Sequence, residues 1–197
     1  VLPNLKKLLF SRDVEKIDQG LELLRSLEDV DIFNHYLDGV TYSSDEGLIS
    51  SPLFTGTGPA QHYLNHALLG VVAYAPEACE VAVTLRKSIT SLVMKLSSTG
   101  PLAEFKNLKF LDLSQSSDLE NLDGLINCTR LTTLNLDLCG SLQNLDGLAK
   151  CTKLTRLDLG DCESLQNVDG LINRSNLTKL DLTNCTSLQN VDGLSNC

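Results

Sequence analysis

The chain has 197 residues, of which 42% are hydrophobic and 21% charged, a balance typical of a globular protein with a sizeable core. Its 25 acidic residues outnumber its 16 basic ones and give a net charge of −9. Nucleic acids and anionic membrane surfaces are bound through clustered basic residues, so we expect neither as a partner. The apolar runs fall short of the roughly 18 residues that a membrane span needs, and we expect no signal peptide.

The first 88 residues follow the periodicity of helices. One helix is predicted where apolar residues recur on a single face, at Val14, Ile17, Leu21, Leu24 and Leu27. A second, short helix is expected to stop at Gly39, because glycine favours the position after a helix end. Residues 41–58 are rich in serine and glycine and predict a loop. Two further helices are expected to begin at Pro59 and Pro76.

Few residues in this part of the chain are candidates for chemistry. His62 and His66 have the spacing of a metal-binding pair, but Tyr63 stands where the zinc-protease motif requires glutamate. Cys79 lacks the local signature of a nucleophile that acts with histidine. The segment Gly56-Thr57-Gly58 is too short to cradle a phosphate. We therefore predict no metal, no cofactor and no catalytic residue, and we do not expect an enzyme.

Residues 108–197 contain four copies of a 23-residue unit. Their opening segments read LKFLDLSQS, LTTLNLDLC, LTRLDLGDC and LTKLDLTNC. Leucines that alternate with polar residues have the period of a half-buried strand, so the paired leucines of each copy are expected to point inward. An irregular earlier copy is expected to start at Ile89, with Ser97 at the position that closes the segment.

The repeated segment L-x-x-L-x-L-x-x-N/C resembles the signature of the leucine-rich-repeat family, including repeats of plant immune receptors and bacterial cytoplasmic proteins. The resemblance implies an α/β solenoid with a parallel sheet on its concave side, which binds a macromolecular partner through that side. We expect residues 89–197 to form the leucine-rich-repeat solenoid, as one irregular and four regular repeats. Residues 1–88 are expected to form an all-helical amino-terminal cap or, alternatively, a separate docking module.

The cysteines follow the repeat. They close the strand segments at Cys139, Cys162 and Cys185, and the convex segments at Cys128, Cys151 and Cys197, with Arg174 in the place of one. An odd total of seven at this spacing does not predict a disulfide framework. We expect buried, inert thiols and hence a reducing, cytoplasmic location. Glycosylation sequons are interpreted as chance matches, at Asn127, Asn173, Asn176 and Asn184.

A recurrent aspartate precedes Gly-Leu in every regular copy, at Asp123, Asp146, Asp169 and Asp192. Aspartate is a favoured N-cap, so each is predicted to cap a short helical turn. Capping explains all of these aspartates at once, and a catalytic role does not.

The alternation also identifies the side chains of the predicted concave face. The residues between the paired leucines are Asp112, Asn135, Asp158 and Asp181, and those two positions earlier are Phe110, Thr133, Arg156 and Lys179. The predicted binding residues beyond the strands are Asp137, Leu138, Asp161 and Asn184. Phe110 and Leu138 are candidate anchors for a partner. For the carboxylates beside Arg156 and Lys179, mutual charge compensation remains an alternative.

We therefore predict a protein–protein interaction module whose protein partner the sequence does not name. The alternative is a sensor or substrate-selecting fragment of a larger enzyme or immune-type switch protein, which an added catalytic domain in the coding sequence would reveal. The last copy reaches Cys197 without a polar cap, so we expect more repeats in the natural protein. If that terminus is natural, end-to-end self-association through the open strand edge is expected instead.

Overall fold

The computed structural model describes residues 2–27, 29–43, 48–50 and 61–195. This part of the chain is a mixed α/β structure in which helices precede a parallel sheet. The helices are α1 Leu2–Leu9, α2 Val14–Leu27, α3 Val30–Leu37, α4 Gln61–Tyr74 and α5 Glu80–Ser88. The strands are β1 Thr41–Ser43, β2 Leu48–Ser50, β3 Ser91–Val93, β4 Phe110–Asp112, β5 Thr133–Asn135, β6 Arg156–Asp158 and β7 Lys179–Asp181. None of the described helices has the length and apolar character of a membrane span.

Helices α2 and α3 lie where the apolar periodicity predicts them. Asp13 precedes α2, and its Oδ1 accepts the backbone N–H of Lys16 at 3.3 Å. Asp29 caps α3 by accepting the backbone N–H of Asp31 at 3.0 Å. Gly39 follows α3 with a φ of 69°, a left-handed conformation that glycine adopts without strain. The predicted helix stop at this glycine is confirmed.

Two other helices differ from expectation. Helix α1 was not predicted, and it packs on α2 with Leu5 and Leu9 fully buried. Helix α5 begins at Glu80 and not at Pro76. The intervening residues form a turn instead, in which the Cys79 N–H donates to the carbonyl oxygen of Pro76 at 2.9 Å.

The amino-terminal region is not all helical, so that prediction is wrong. Inside the predicted loop, β1 and β2 pair as an antiparallel hairpin with Tyr42 opposite Ile49. The Tyr42 hydroxyl donates to the carbonyl oxygen of Ser91 at 2.8 Å and accepts the Ser91 N–H at 3.2 Å. These long-range bonds satisfy the N–H and the carbonyl oxygen of Ser91 at the outer edge of β3, which local composition does not reveal. The remainder of that loop, and the predicted helix start at Pro59, lie outside the described residues.

Strands β3 to β7 form one parallel sheet in chain order. Neighbouring strands pair in the register of the repeat, so that Leu134 lies between Leu111 and Leu157. These leucines are at most 2% exposed, which confirms that they point inward. Leu92 of β3 pairs with Leu111 in the same register, the pairing expected of an irregular first repeat.

Short 3-10 turns form a second row, which we call the turn row: Asp123–Leu125, Asp146–Leu148, Asp169–Leu171 and Asp192–Leu194. The prediction that each aspartate caps its turn is wrong, because the aspartate is the first residue of the turn. The N-cap position is held by Leu145, and the side-chain acceptor is the asparagine before it: Asn144 Oδ1 accepts the N–H of Asp146 at 3.1 Å. The glycine of each turn packs against the preceding repeat, and a Cβ added to Gly147 would overlap the carbonyl oxygen of Leu122.

The described cysteines are free thiols, as expected: Cys79, Cys128, Cys139, Cys151, Cys162 and Cys185. All are buried except Cys185, which is partly exposed. Burial raises the pKa of Cys128, Cys139 and Cys162 to about 12. A thiol that ionises so high is neutral at physiological pH and unreactive.

The helices and the repeats share one core. A continuous cluster of buried apolar residues runs from Leu5 in α1 to Leu171 in the turn row. Helix α4 packs against the 3-10 turn Gly100–Glu104 of the first repeat. The amino-terminal end of the sheet is therefore covered by helices and by the hairpin.

Candidate binding face

The side of the sheet opposite the buried leucines carries the predicted binding residues in columns. The entry column, at the start of β4 to β7, holds Phe110, Thr133, Arg156 and Lys179. The central column, at the end of these strands, holds Asp112, Asn135, Asp158 and Asp181. The exit column follows the strands and holds Gln115, Leu138, Asp161 and Asn184. All of these residues, and Asp137, are exposed or half-buried, and we call their surface the sheet face.

Each side chain of the central column accepts a hydrogen bond from the backbone N–H two residues further along the chain. Oδ1 of Asp112 accepts the N–H of Ser114 at 2.9 Å, and Oδ1 of Asp158 accepts the N–H of Gly160 at 3.1 Å. The other two central residues make the same bond. These Asx turns end the strands and fix the side chains on the surface. The sequence pattern placed the column outside but did not reveal the turns, although the recurrence of Asp and Asn there was the signal.

The exit column has a left-handed backbone. The φ angle is 62° at Gln115, 60° at Leu138, 55° at Asp161 and 58° at Asn184. Asparagine and aspartate tolerate this region because their side chains bond locally, whereas leucine gains no such bond. Leu138 is nevertheless 46% exposed. The alternation predicted Leu138 as an exposed apolar anchor, but no sequence pattern indicated its left-handed backbone.

Carboxylates cluster at the exit side of the sheet face, at Asp112, Asp137, Asp158, Asp161 and Asp181. The pKa of Asp137 is raised, first by partial burial and then by repulsion from the other four. Hydrogen bonds from the hydroxyl and N–H of Thr183 lower the pKa of Asp181. The smaller contributions to the shift at Asp137 come from carboxylates of the surrounding repeats, which lie close enough to interact electrostatically.

Positive charge lies on the entry side, at Arg156 and Lys179. Within the described residues, the ion pairs closer than 4.0 Å lie elsewhere, at Asp13–Lys16, Glu22–Arg25 and Glu77–Arg86. Arg156 and Lys179 therefore form no close ion pair with these carboxylates, although Lys179 contributes to the lowered pKa of Asp181 after the hydrogen bonds from Thr183. The sheet face separates its charges, cationic where the strands begin and anionic where they end.

Cross-strand hydrogen bonds engage some of these side chains. The amide of Asn135 donates to Oδ2 of Asp112 at 3.1 Å, and the amide of Asn184 donates to Oδ1 of Asp161 at 2.8 Å. Among the described hydrogen bonds, none reaches the carboxylate of Asp137. That carboxylate is left with acidic neighbours.

The candidate residues for metal binding and nucleophilic chemistry lie apart from the sheet face. No group of three His, Cys, Asp or Glu residues there has the geometry to hold a metal ion. The backbone of His62 and His66 lies in α4, but their side chains lie outside the described atoms. The Cys79 thiol donates to Oδ1 of Asn34 at 3.3 Å, at the start of α5. A cavity of about 560 Å³ lies between α3 and α5, apart from the sheet face.

Comparison with protein families gives one match. Residues 83–197, more than half of the chain, match the family described as the endo-beta-N-acetylglucosaminidase EndoS LRR domain. The matched span contains all five strands of the parallel sheet and every residue of the sheet face. Comparison with curated proteins found no match.

Proposed function

The chain belongs to this leucine-rich-repeat family, and on that premise we propose that it is an interaction module that binds a protein partner through the sheet face. The stacked repeats are taken to form an α/β solenoid with this face on its concave side. Helices α1 to α5 and the hairpin are its amino-terminal cap, an assignment supported by the core that they share with the repeats.

The observation that carries the proposal is the exposure of large apolar side chains on an otherwise polar sheet surface. Phe110 is 37% exposed and Leu138 is 46% exposed. Exposed apolar side chains rimmed by polar residues are common in protein interfaces, where aromatic residues often contribute most of the binding energy. The four strands β4 to β7, spaced about 4.8 Å apart, give a face roughly 14 Å long, which suits a peptide or the edge of a protein.

The absence of catalysis and a cytoplasmic location remain parts of this proposal. The free, buried thiols support a reducing compartment, because structural thiols persist there without pairing. The sheet face presents no acid–base pair in a closed cleft. Its central carboxylates are spaced along the sheet, and each accepts a hydrogen bond from the backbone N–H two residues further on. Such a surface is suited to recognition.

A second candidate function follows from the family. The matching model is named for the repeat domain of an enzyme, an endo-beta-N-acetylglucosaminidase. The chain would then be the sensor or substrate-selecting part of a larger enzyme, with chemistry in another domain. The coding sequence separates the two candidates, because an adjoining catalytic domain supports only the second.

The test is affinity capture from a lysate of the native cells, with bound proteins identified by mass spectrometry. The wild-type chain is compared with Phe110→Ser/Leu138→Asn. The matched control is Val81→Gln/Ile172→Asn, which removes apolar side chains that are 45% and 52% exposed away from the sheet face. We expect one protein to be retained by the wild type and the control and lost from the sheet-face variant. Equal retention by all three chains would rule out the sheet face as the binding surface.

A further inference from the structure

We propose that the exit side of the sheet face binds an arginine- or lysine-bearing segment of the partner protein. The aliphatic stem of the basic side chain packs on Leu138, and its cationic end lies among the carboxylates of Asp137, Asp158 and Asp161. This inference rests on the proposed function and names the chemistry of the partner.

Charge complementarity is the first argument. The exit-side carboxylates have no cation within ion-pair distance among the described residues. Desolvation, and then repulsion from the neighbouring carboxylates, raises the pKa of Asp137. A partner that places positive charge there relieves this repulsion, whereas an acidic partner increases it.

The placement of Leu138 is the second, independent argument. Leu138 follows Asp137 in sequence and shares the exit column with Asp161 of the next repeat. Its N–H donates to the carbonyl oxygen of Gly160 at 2.8 Å, which holds the exits of β5 and β6 side by side. An apolar side chain thus stands beside carboxylates from two repeats. Arginine and lysine combine an apolar stem with a charged end, so they match both halves of this arrangement.

The spacing of the carboxylates favours a long organic cation over a metal ion. Calcium needs six to eight oxygen ligands at about 2.3–2.6 Å. Asp137 lies one repeat before Asp158 and Asp161, and no described group of three or more such residues could hold a metal ion. The guanidinium of arginine carries five N–H donors in a planar fork, which suits carboxylates presented by neighbouring strands.

The test uses the full chain and a defined probe. The probe is a synthetic peptide of about twelve residues in which arginine alternates with glycine and serine, and its counterpart has glutamate in place of arginine. Binding is measured by isothermal titration calorimetry. The test variant is Asp137→Asn/Asp161→Asn, and the matched control is Asp123→Asn/Asp146→Asn, which removes the same charge from exposed positions of the turn row.

The arginine peptide is expected to bind the wild type and the control, and the glutamate peptide is expected not to bind. Asp137→Asn/Asp161→Asn should weaken the arginine peptide about tenfold or more, and Leu138→Asn should weaken it severalfold. Equal weakening by both double variants would reduce the effect to net charge and overturn the proposal. Saturable binding of calcium alone, lost in Asp137→Asn/Asp161→Asn, would overturn it as well.

The two proposals fail in different ways. If capture of the native partner depends on Phe110 and Leu138 while the arginine peptide does not bind, the sheet face is the binding surface and the basic partner is wrong. If neither experiment depends on the sheet face, the proposed function itself is wrong.

Discussion

The Sγ of Cys162 lies 3.3 Å from the carbonyl oxygen of Leu136, so the thiol donates a hydrogen bond to the preceding repeat. Cys139 and Cys185 make the same bond in their own units. A buried carbonyl without a donor is costly, and the thiol supplies that donor inside the core. The amide of asparagine is also a donor, which accounts for a family signature that accepts either residue at this position.

The first prediction concerns these thiols at high pH. A cysteine whose pKa rises from 9.0 to about 12 on folding, as at Cys162, stabilises the fold fully below pH 9. This contribution is lost between pH 9 and 12, because the unfolded thiol releases its proton first. We expect the free energy of unfolding to fall there by up to about 1.4 kcal/mol per pH unit for each such thiol. Urea unfolding at a series of pH values measures the slope.

Cys162→Ala is the control. It removes one of these thiols and should make the dependence of stability on pH less steep. Native labelling with a thiol reagent gives an independent check, since the partly exposed Cys185 should react before the buried cysteines. A stability that does not change between pH 9 and 12 would contradict the assignment.

The second prediction concerns the packing of the turn row. Gly147→Ala places a methyl group against the carbonyl oxygen of Leu122. Because this oxygen belongs to the backbone, it cannot move aside as a flexible side chain would. We expect the free energy of unfolding to fall by about 3 kcal/mol or more, since overpacking of this kind forces backbone shifts. Gly140→Ala is the matched control, because no atom lies within 4 Å of an added Cβ there. Circular dichroism during urea unfolding compares the two, and equal midpoints would argue against tight contact between the turns.

The sequence predicted the parts of the fold that the repeat period determines. A spacing of 23 residues decides which side chains stack, so the strands, the register and the inward leucines such as Leu134 could be predicted. The hairpin could not, because the bond between Tyr42 and Ser91 joins residues 49 apart and leaves no local pattern. On the sheet face, alternation identified the outward side chains. It does not describe how a strand ends, and so it missed the Asx turn at Asp158 and the left-handed backbone at Leu138.

The third prediction follows from the corrected cap. Asn144, and not Asp146, satisfies the first N–H of its turn. Asn144→Ala should therefore lower the free energy of unfolding by about 0.5–2 kcal/mol, as loss of a cap does. Asp146→Ala, two residues further on, should lower the free energy of unfolding by less. Thermal unfolding of the two variants decides, and a greater loss from Asp146→Ala would restore the aspartate as the cap.

The fourth prediction concerns Arg174, which fills the place that Cys151 takes one repeat earlier. Arg174 is 5% exposed and donates through Nη2 to the carbonyl oxygen of Leu148 at 3.2 Å. Its Nε is buried without a partner in the described part of the chain. A buried charge lacking an opposite charge is destabilising, so Arg174→Cys is expected to raise the free energy of unfolding by about 1–3 kcal/mol.

Calorimetric unfolding measures this gain. The reverse change, Cys151→Arg, buries a second guanidinium and should cost more than about 3 kcal/mol. The electrostatics supply another readout: Arg174 lowers the pKa of Cys151 against the larger effect of burial, so Arg174→Cys should move that pKa upward from about 11. A loss of stability in Arg174→Cys would mean that the guanidinium bonds outweigh its desolvation.

The fifth prediction sets stability against binding at Leu138. Leucine at a φ of 60° is strained, and asparagine adopts the same region at Asn184, in the same column. A left-handed conformation costs an ordinary residue roughly 1 kcal/mol, so Leu138→Asn is expected to stabilise the chain by about 0.5–1 kcal/mol. Leu138→Ala is the control, because alanine keeps the strain and loses the apolar surface.

Both Leu138 variants should weaken binding of the arginine peptide, yet only Leu138→Asn should gain stability. This combination distinguishes a residue retained for recognition from one that merely tolerates its position. Exposed apolar surface and a disfavoured backbone at one residue both oppose folding, and a contact with a partner offsets them when it covers the side chain. Parallel thermal unfolding and titration calorimetry on the three chains provide the measurement. If Leu138→Asn gains stability and binds as tightly as the wild type, Leu138 has no part in recognition.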